Sequence, residues 1–282
     1  MKITILFFLM FSLLAFTCNK NSHHNIDDKT DSETDLAEWK LVWNDEFSEP
    51  SIDLTRWEHE VNAQGGGNSE LQYYTDRPEN SFIRESCLVI QARAETYNGP
   101  EGTREFTSAR LRTLNKGDWK YGRFDIRAKL PYSQGLWPAI WMLPSEWVYG
   151  GWAASGEIDI MELLGQDPEK VYGTLHYGGT YPNNTHSGSS YTLSEGTFAQ
   201  DFHLFTLEWD STEMRWYVDG QHYLTQKNWY STAAEYPAPF DQKFHLLLNV
   251  AVGGNWPGNP DLTTILPQEM VIDYVRVYEK EK

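Results

Sequence analysis

Three carboxylates fall within six residues in the stretch Glu157-Ile158-Asp159-Ile160-Met161-Glu162, interleaved with β-forming residues and a methionine. The alternation predicts a strand carrying acids on one face. In a regular strand Glu157 and Asp159 point the same way, whereas Glu162, at odd spacing, points to the other side. A one-residue bulge at Ile160 or Met161 returns it to the shared face. Counted through that bulge the glutamates stand four register steps apart, roughly 13 Å between Cα atoms. Side chains that reach roughly 3 to 4 Å from a concave strand bring the two carboxyls toward the ~5 Å that suits retaining hydrolysis of a glycosidic bond. Asp159 sits between them. Aligned acids repel, and a strand that needed only solubility would mix in Lys or Thr, so the run predicts chemistry.

The elements that must hold this strand also read as β. Val42-Trp43, Leu88 to Ala92, Ser108 to Leu111, Gly122 to Ala128, Phe205 to Trp209 and Met214 to Val218 alternate or are rich in β-formers. Met270 to Tyr278 alternates as a last strand, and Asp219-Gly220 predicts a hairpin turn. Many short strands without an internal repeat predict an all-β sandwich. Trp137 and Trp141 lie at even spacing around Pro138 and so share one side of a strand, open to substrate or packed in the core. Tyr181 to Gly196, rich in Gly, Ser, Thr and Asn, predicts a surface loop.

Aromatic residues make up 15% of the 282-residue chain, with 12 Trp and 16 Tyr, more than a core requires. The excess suits stacking on sugar rings, whose C–H faces are apolar. A formal charge of −17 without a basic cluster argues against nucleic acid as a partner and against a sulfated polyanion as substrate. Lys2 precedes an apolar or small run from Ile3 to Thr17, which predicts a secretory signal peptide over 1–17, too short for a membrane span. Cys18 stands where exported bacterial lipoproteins are cleaved and lipidated, although Phe16 is bulky for that box; ordinary secretion is the alternative. Residues 18–38 predict a lipid-anchored or flexible polar tether and 39–282 the folded domain. With two cysteines there is no disulfide framework, and a lipidated Cys18 leaves Cys87 as a lone buried thiol.

The acidic strand resembles the catalytic strand of glycoside hydrolase family 16, in the bulged form of its laminarinase-like members. Mixed-linkage lichenases of that family lack the extra residue at Met161. Asn68 to Tyr74, Gly135 to Pro144, Leu175 to Gly178 and Asn249 to Gly258 resemble further laminarinase segments, in the same order. The resemblance runs from Trp39 to Tyr278. It implies a β-jelly-roll of two antiparallel sheets with a concave cleft, and endo-hydrolysis of β-1,3-glucan by double displacement. Glu157 would be the nucleophile and Glu162 the general acid/base, with Asp159 orienting a neighbouring carboxyl. Substrate would lie on Asn68, Arg110, Trp137, Trp141, Trp152, His176 and Trp256; a plain ion pair is the alternative for Arg110 and a core position for His176. Catalysis would need no cofactor, and the chain would act as a monomer. A structural calcium ion would be held by Glu46, the backbone carbonyl of Ser86 and Asp273. Two departures stand out: Ala153 where many relatives have Pro, and Glu85-Ser86 where a Gly-Asn turn is usual. Competing readings are a family 16 enzyme for mixed-linkage glucan, agar or carrageenan, and a glucan-binding protein that does not cut. Such binders lose the carboxylates that this chain keeps.

Overall fold

The computed structural model describes residues 38–281, and among them the regular structure is β-strand apart from short 3-10 turns. The first nine strands are β1 (Trp39–Asp45), β2 (Glu58–His59), β3 (Gln72–Tyr74), β4 (Ser81–Arg84), β5 (Cys87–Gly99), β6 (Gly102–Ser108), β7 (Arg110–Arg112), β8 (Asp118–Trp119) and β9 (Gly122–Lys129). There follow β10 (Leu136–Pro144), β11 (Glu157–Leu163), β12 (Lys170–Gly178), β13 (Asn184–Thr192), β14 (His203–Trp209), β15 (Met214–Val218), β16 (Gln221–Gln226), β17 (Phe244–Val252) and β18 (Gln268–Lys280).

They form two sheets. An eight-stranded sheet runs β13-β12-β11-β10-β17-β7-β2, with β8 also joined to β17. A ten-stranded sheet runs β16-β15-β14-β9-β18-β5-β6-β3, with β1 on β18 and β4 on β5. The pairings are antiparallel, β3 against β6 being the parallel exception.

The period-2 pattern decides what fills the space between the sheets. Ile158, Ile160, Met161 and Leu163 of β11 point inward, joining Phe124, Ile126, Phe205, Leu207, Trp209 and Trp216 from the opposite sheet. Each large apolar side chain fully buried in this way contributes about 1.5–3 kcal/mol. The acids of β11 therefore fall on the outer face. That face is the one that can meet a polymer.

Three expectations need correction. Ser108 to Leu111 is not one strand: β6 ends at Ser108 and β7 begins at Arg110, in different sheets. The chain crosses between the sheets at Ala109, which is fully buried with Leu111 in the core. Tyr181 to Gly196 is not a loop, because β13 pairs with β12 along its whole length from Asn184 to Thr192 and forms the edge of the eight-stranded sheet. Ser, Thr and Gly suit an edge strand with no second neighbour to pack against. Cys87 is fully buried with Val89 and Val271, as expected of a small apolar residue, but it is not a free thiol. The Asp219-Gly220 turn is as expected, both residues having positive φ (49° and 76°) between β15 and β16.

Candidate active site

The odd spacing of Glu162 is resolved by a bulge. Across β10, Ile140 faces Met161 and Trp141 faces Asp159, so Ile160 has no opposite number. Across β12, Asp159 faces Thr174 and Glu162 faces Tyr172, so Ile160 and Met161 together span Gly173. A Cβ at Gly173 would lie 2.7 Å from the Trp216 ring, and the Trp216 Nε1–H donates to the Asp159 carbonyl at 2.9 Å. A buried indole thus holds the bulge from below, and the residue it presses against has no side chain.

With the register shifted, the three acids line up on the open face. Glu157 lies opposite His176, which lies opposite His186 on β13. Each glutamate accepts one indole N–H: Trp152 Nε1 donates to Glu157 Oε2 at 2.8 Å, and Trp137 Nε1 to Glu162 Oε1 at 3.0 Å. His176 Nε2 stands 3.4 Å from Asp159 Oδ2 and 3.7 Å from Glu157 Oε1.

Few cations balance these acids. Burial pushes Glu157 up to about 7, against the pull of the Trp152 N–H and the Arg110 charge. Burial and the neighbouring charge of Glu157 push Glu162 up to about 8, with the Trp137 N–H pulling the other way. Asp159 is held well above the carboxylate range by burial and by its two acidic neighbours. Burial, with His186 alongside, pushes His176 down to about 4, so its imidazole is neutral. Such a row holds protons at neutral pH while one carboxyl, beside Trp152 and the Arg110 field, ionises first.

Arg110 alternates with the core residue Leu111 on β7 and so shares the outer face with the acids, where its partners cover it. It is buried, 3.2 Å from Glu60 and 3.7 Å from Glu70, donates to Tyr74 Oη at 3.3 Å, and lies under the Tyr74 and Trp141 rings. Gln72 donates to Glu70 at 2.7 Å and accepts the Val252 N–H at 2.7 Å, which ties this layer to β17. Trp141, half-buried over Arg110, is pinned by its Nε1–H on Asn249 Oδ1 at 2.7 Å. Glu60, Glu70, Gln72, Tyr74 and Asn249 escaped the sequence reading. Asn249 had a signal, being the polar residue inside the otherwise apolar run Leu246 to Val252.

Aromatics flank the acids in both directions. Beyond Glu162, Trp256 is exposed (41%) and meets Trp137 at 5.5 Å and Tyr172 at 5.0 Å between ring centroids. Asn68 is on that side, its carbonyl accepting the Asn255 N–H at 2.8 Å. Beyond Glu157, Trp152 lies 5.6 Å from His176 and 6.3 Å from Tyr181, whose ring is 70% exposed. Tyr172, Tyr181 and His186 were not singled out in the sequence.

The expected calcium ligands lie elsewhere. Both Glu46 oxygens bond Arg276, at 2.8 and 2.9 Å, and Asp273 bonds Arg127 at 2.6 Å. Ser86 is in the turn between β4 and β5. As placed, these carboxylates are balanced by guanidinium groups, so the donor set does not call for a cation. Cys18 lies outside the described residues.

Comparison with known proteins agrees with this geometry. Residues 67–276 match the model of the family described as glycosyl hydrolases family 16. The chain is 42% identical to glucan endo-1,3-beta-glucosidase A1 of Niallia circulans, over 89% of this chain and 39% of that one. It is 45% identical to the beta-glucanase of Rhodothermus marinus, covering 85% of each. Among solved structures, the laminarinase catalytic domain from Thermotoga maritima MSB8 superposes with a TM-score of 0.78 at 45% identity, covering 87% of this chain and all of that one. The two sheets form the jelly-roll of those laminarinases.

Proposed function

The chain belongs to glycosyl hydrolase family 16, and on that premise we propose that it cleaves β-1,3-glucan internally, with retention at the anomeric carbon. The observation that carries this is the bulged strand β11, which brings Glu157, Asp159 and Glu162 to one face with an indole N–H on each glutamate. Glu157 attacks the anomeric carbon while Glu162 gives its proton to the departing glycosidic oxygen. The sugar is then an ester of Glu157. Glu162, now ionised, takes a proton from water, which attacks the same carbon and frees Glu157; two inversions amount to retention. The division of roles follows the electrostatics: the Trp152 N–H and the Arg110 charge favour an anion at Glu157, and that anion helps hold the proton on Glu162. No cofactor enters the reaction.

An internal cut needs grip on both sides of the bond. Trp152, His176 and Tyr181 provide it beyond Glu157, and Trp137, Tyr172, Trp256 and Asn68 beyond Glu162. Product analysis on laminarin, lichenan, agarose and carrageenan, with Glu157→Gln alongside, tests the reading. Laminarin cut to short oligosaccharides, and not by the variant, is the expected result; lichenan cut without laminarin would overturn the linkage, and binding without cleavage would make the protein a glucan receptor.

The same reading has the protein exported as a monomer, with 1–17 removed and Cys18 lipidated. The mass of the mature chain decides between lipid and plain secretion. A calcium ion at Glu46, Ser86 and Asp273 would share its carboxylates with Arg276 and Arg127. A higher unfolding temperature in calcium than in chelator would support it, and identical values would remove it.

A further inference from the structure

We propose that Glu157, Asp159 and His176 form a site for a tetrahedral divalent cation of the zinc type, and that filling it shuts the enzyme off. The inhibition half of this rests on Glu157 being the nucleophile. The binding half rests on geometry alone.

One ligand atom from each residue lies within 4.8 Å of the other two. Zinc bonded to nitrogen and oxygen at about 2.0–2.1 Å in a tetrahedron sets its ligands roughly 3.3–3.4 Å apart. His176 Nε2 is 3.4 Å from Asp159 Oδ2 and 3.7 Å from Glu157 Oε1. The edge to His176 needs a closing movement of a few tenths of an ångström at Glu157, and the Glu157–Asp159 edge, which lies within 4.8 Å, closes by rotation of the glutamate carboxylate toward Asp159. The Trp152 N–H occupies the other oxygen of Glu157, so it orients Oε1 toward the gap instead of competing for it.

A second observation points to a ligand. Asp159 is 2% exposed, and its Oδ2, aimed at His176, has no hydrogen-bond partner. Buried polar atoms are nearly always satisfied, and an orphaned one adjoining two further acceptors marks a place for a cation. Two carboxylates and one imidazole suit zinc or copper better than calcium, which takes six to eight oxygens. The fourth position opens toward the face on which substrate lies. A cation there would take the electron pair that Glu157 needs for attack.

Calorimetric titration of the full chain with Zn2+, without polysaccharide, tests binding separately from catalysis. The first set is wild type, His176→Ala and Glu162→Gln, each with His23 and His24 changed to Ala to remove the paired tether histidines. One Zn2+ per chain is expected, weakened on the order of tenfold or more by His176→Ala and kept by Glu162→Gln. Equal binding by all three, or none by wild type, overturns the site. Zn2+ should also inhibit laminarin hydrolysis by wild type reversibly with EDTA, and inhibit residual hydrolysis by His176→Ala at least tenfold less well. Equal inhibition of the two overturns the proposal. If no polysaccharide is cut, the titration still decides the site, and the failure belongs to the assigned reaction.

Discussion

Two clusters of buried acids sit on opposite sheets of this molecule, and their partners differ. On the ten-stranded sheet, Asp125 and Glu208 are held by Arg123 and Arg215 from adjoining strands. Arg123 Nε lies 3.0 and 3.2 Å from the two Asp125 oxygens, and its Nη1 lies 3.2 Å from Glu208. Arg215 and Tyr217 each donate to Glu208 at 3.0 Å, and Thr206 donates to Asp125 at 2.7 Å. These are cross-strand neighbours, Glu208 facing both Arg123 and Arg215 and Thr206 facing Asp125. On β11 the three acids receive two indole N–H groups, and the guanidinium that acts on them is buried beneath Trp141 with Glu60 and Glu70 as its own partners. Burial raises carboxyl pKa values in both places; on the ten-stranded sheet a cation bonded to the carboxyl pulls back, whereas on β11 Arg110 pulls on Glu157 through its field and Asp159 feels only its acidic neighbours. One cluster holds strands together. The other stores protons.

Exchanging a glutamate for glutamine in each cluster should give opposite results. Glu157→Gln should lower turnover on laminarin on the order of 10⁴-fold or more without lowering the unfolding temperature, since it removes a group whose charge burial disfavours while its amide oxygen can still accept the Trp152 N–H. Glu208→Gln should leave turnover unchanged and cost about 3 kcal/mol in denaturant unfolding, because Arg123 and Arg215 lose a shared partner. Glu157→Gln that unfolds the protein, or Glu208→Gln that leaves its stability intact, would erase the distinction.

Stability against pH separates the clusters further. The folded chain keeps protons on Glu157 and Glu162 that the unfolded chain has released, so their contribution is full below about 4.5 and is lost as pH rises through about 7 and about 8. Each proton held only by the folded state gives a slope of about 1.4 kcal/mol per pH unit. Urea unfolding from pH 5 to 9 should show stability falling across this window, with a shallower fall in Glu162→Gln. Trp152→Phe, which keeps the ring and removes the N–H, should move the acid limb of the activity profile upward by about one pH unit, a hydrogen bond to a charged group being worth about 1.5–3 kcal/mol. A limb that stays in place would mean that the indole does not tune Glu157. The smallest effect lies far from the site. Ser86 sits in the turn before β5 at φ 57°, a conformation that glycine adopts without penalty. Ser86→Gly should add at most about 1 kcal/mol of stability and leave the pH profile unchanged.

Local features of the acidic strand were legible in the sequence. The odd spacing of Glu162 required a bulge at Ile160 or Met161, and the even spacing of Trp137 and Trp141 placed them together. What stayed hidden depends on distant segments. Arg110 read as a substrate contact or a plain ion pair; the ion pairs are present and its charge also acts on Glu157, but the partners Glu60, Glu70 and Tyr74 come from another stretch of chain. β13 hid because its composition is that of a loop; pairing with β12, not apolar content, makes it a strand. Nothing in the sequence announced the indole donors, since Trp137 and Trp152 are as suited to stacking as to donating.

The pairing of β1 with β18 has a mechanical consequence. Trp39 lies opposite Lys280, so the two ends of the folded chain lie side by side on the ten-stranded sheet. A pull applied between them loads the ladder from its open end and peels β1 away one rung at a time, as a zipper opens, instead of shearing every rung at once. β1 has no pairing with the eight-stranded sheet. Tension at this junction is therefore spent on a strand that carries no part of the reaction, and β11 keeps its register while β1 gives way.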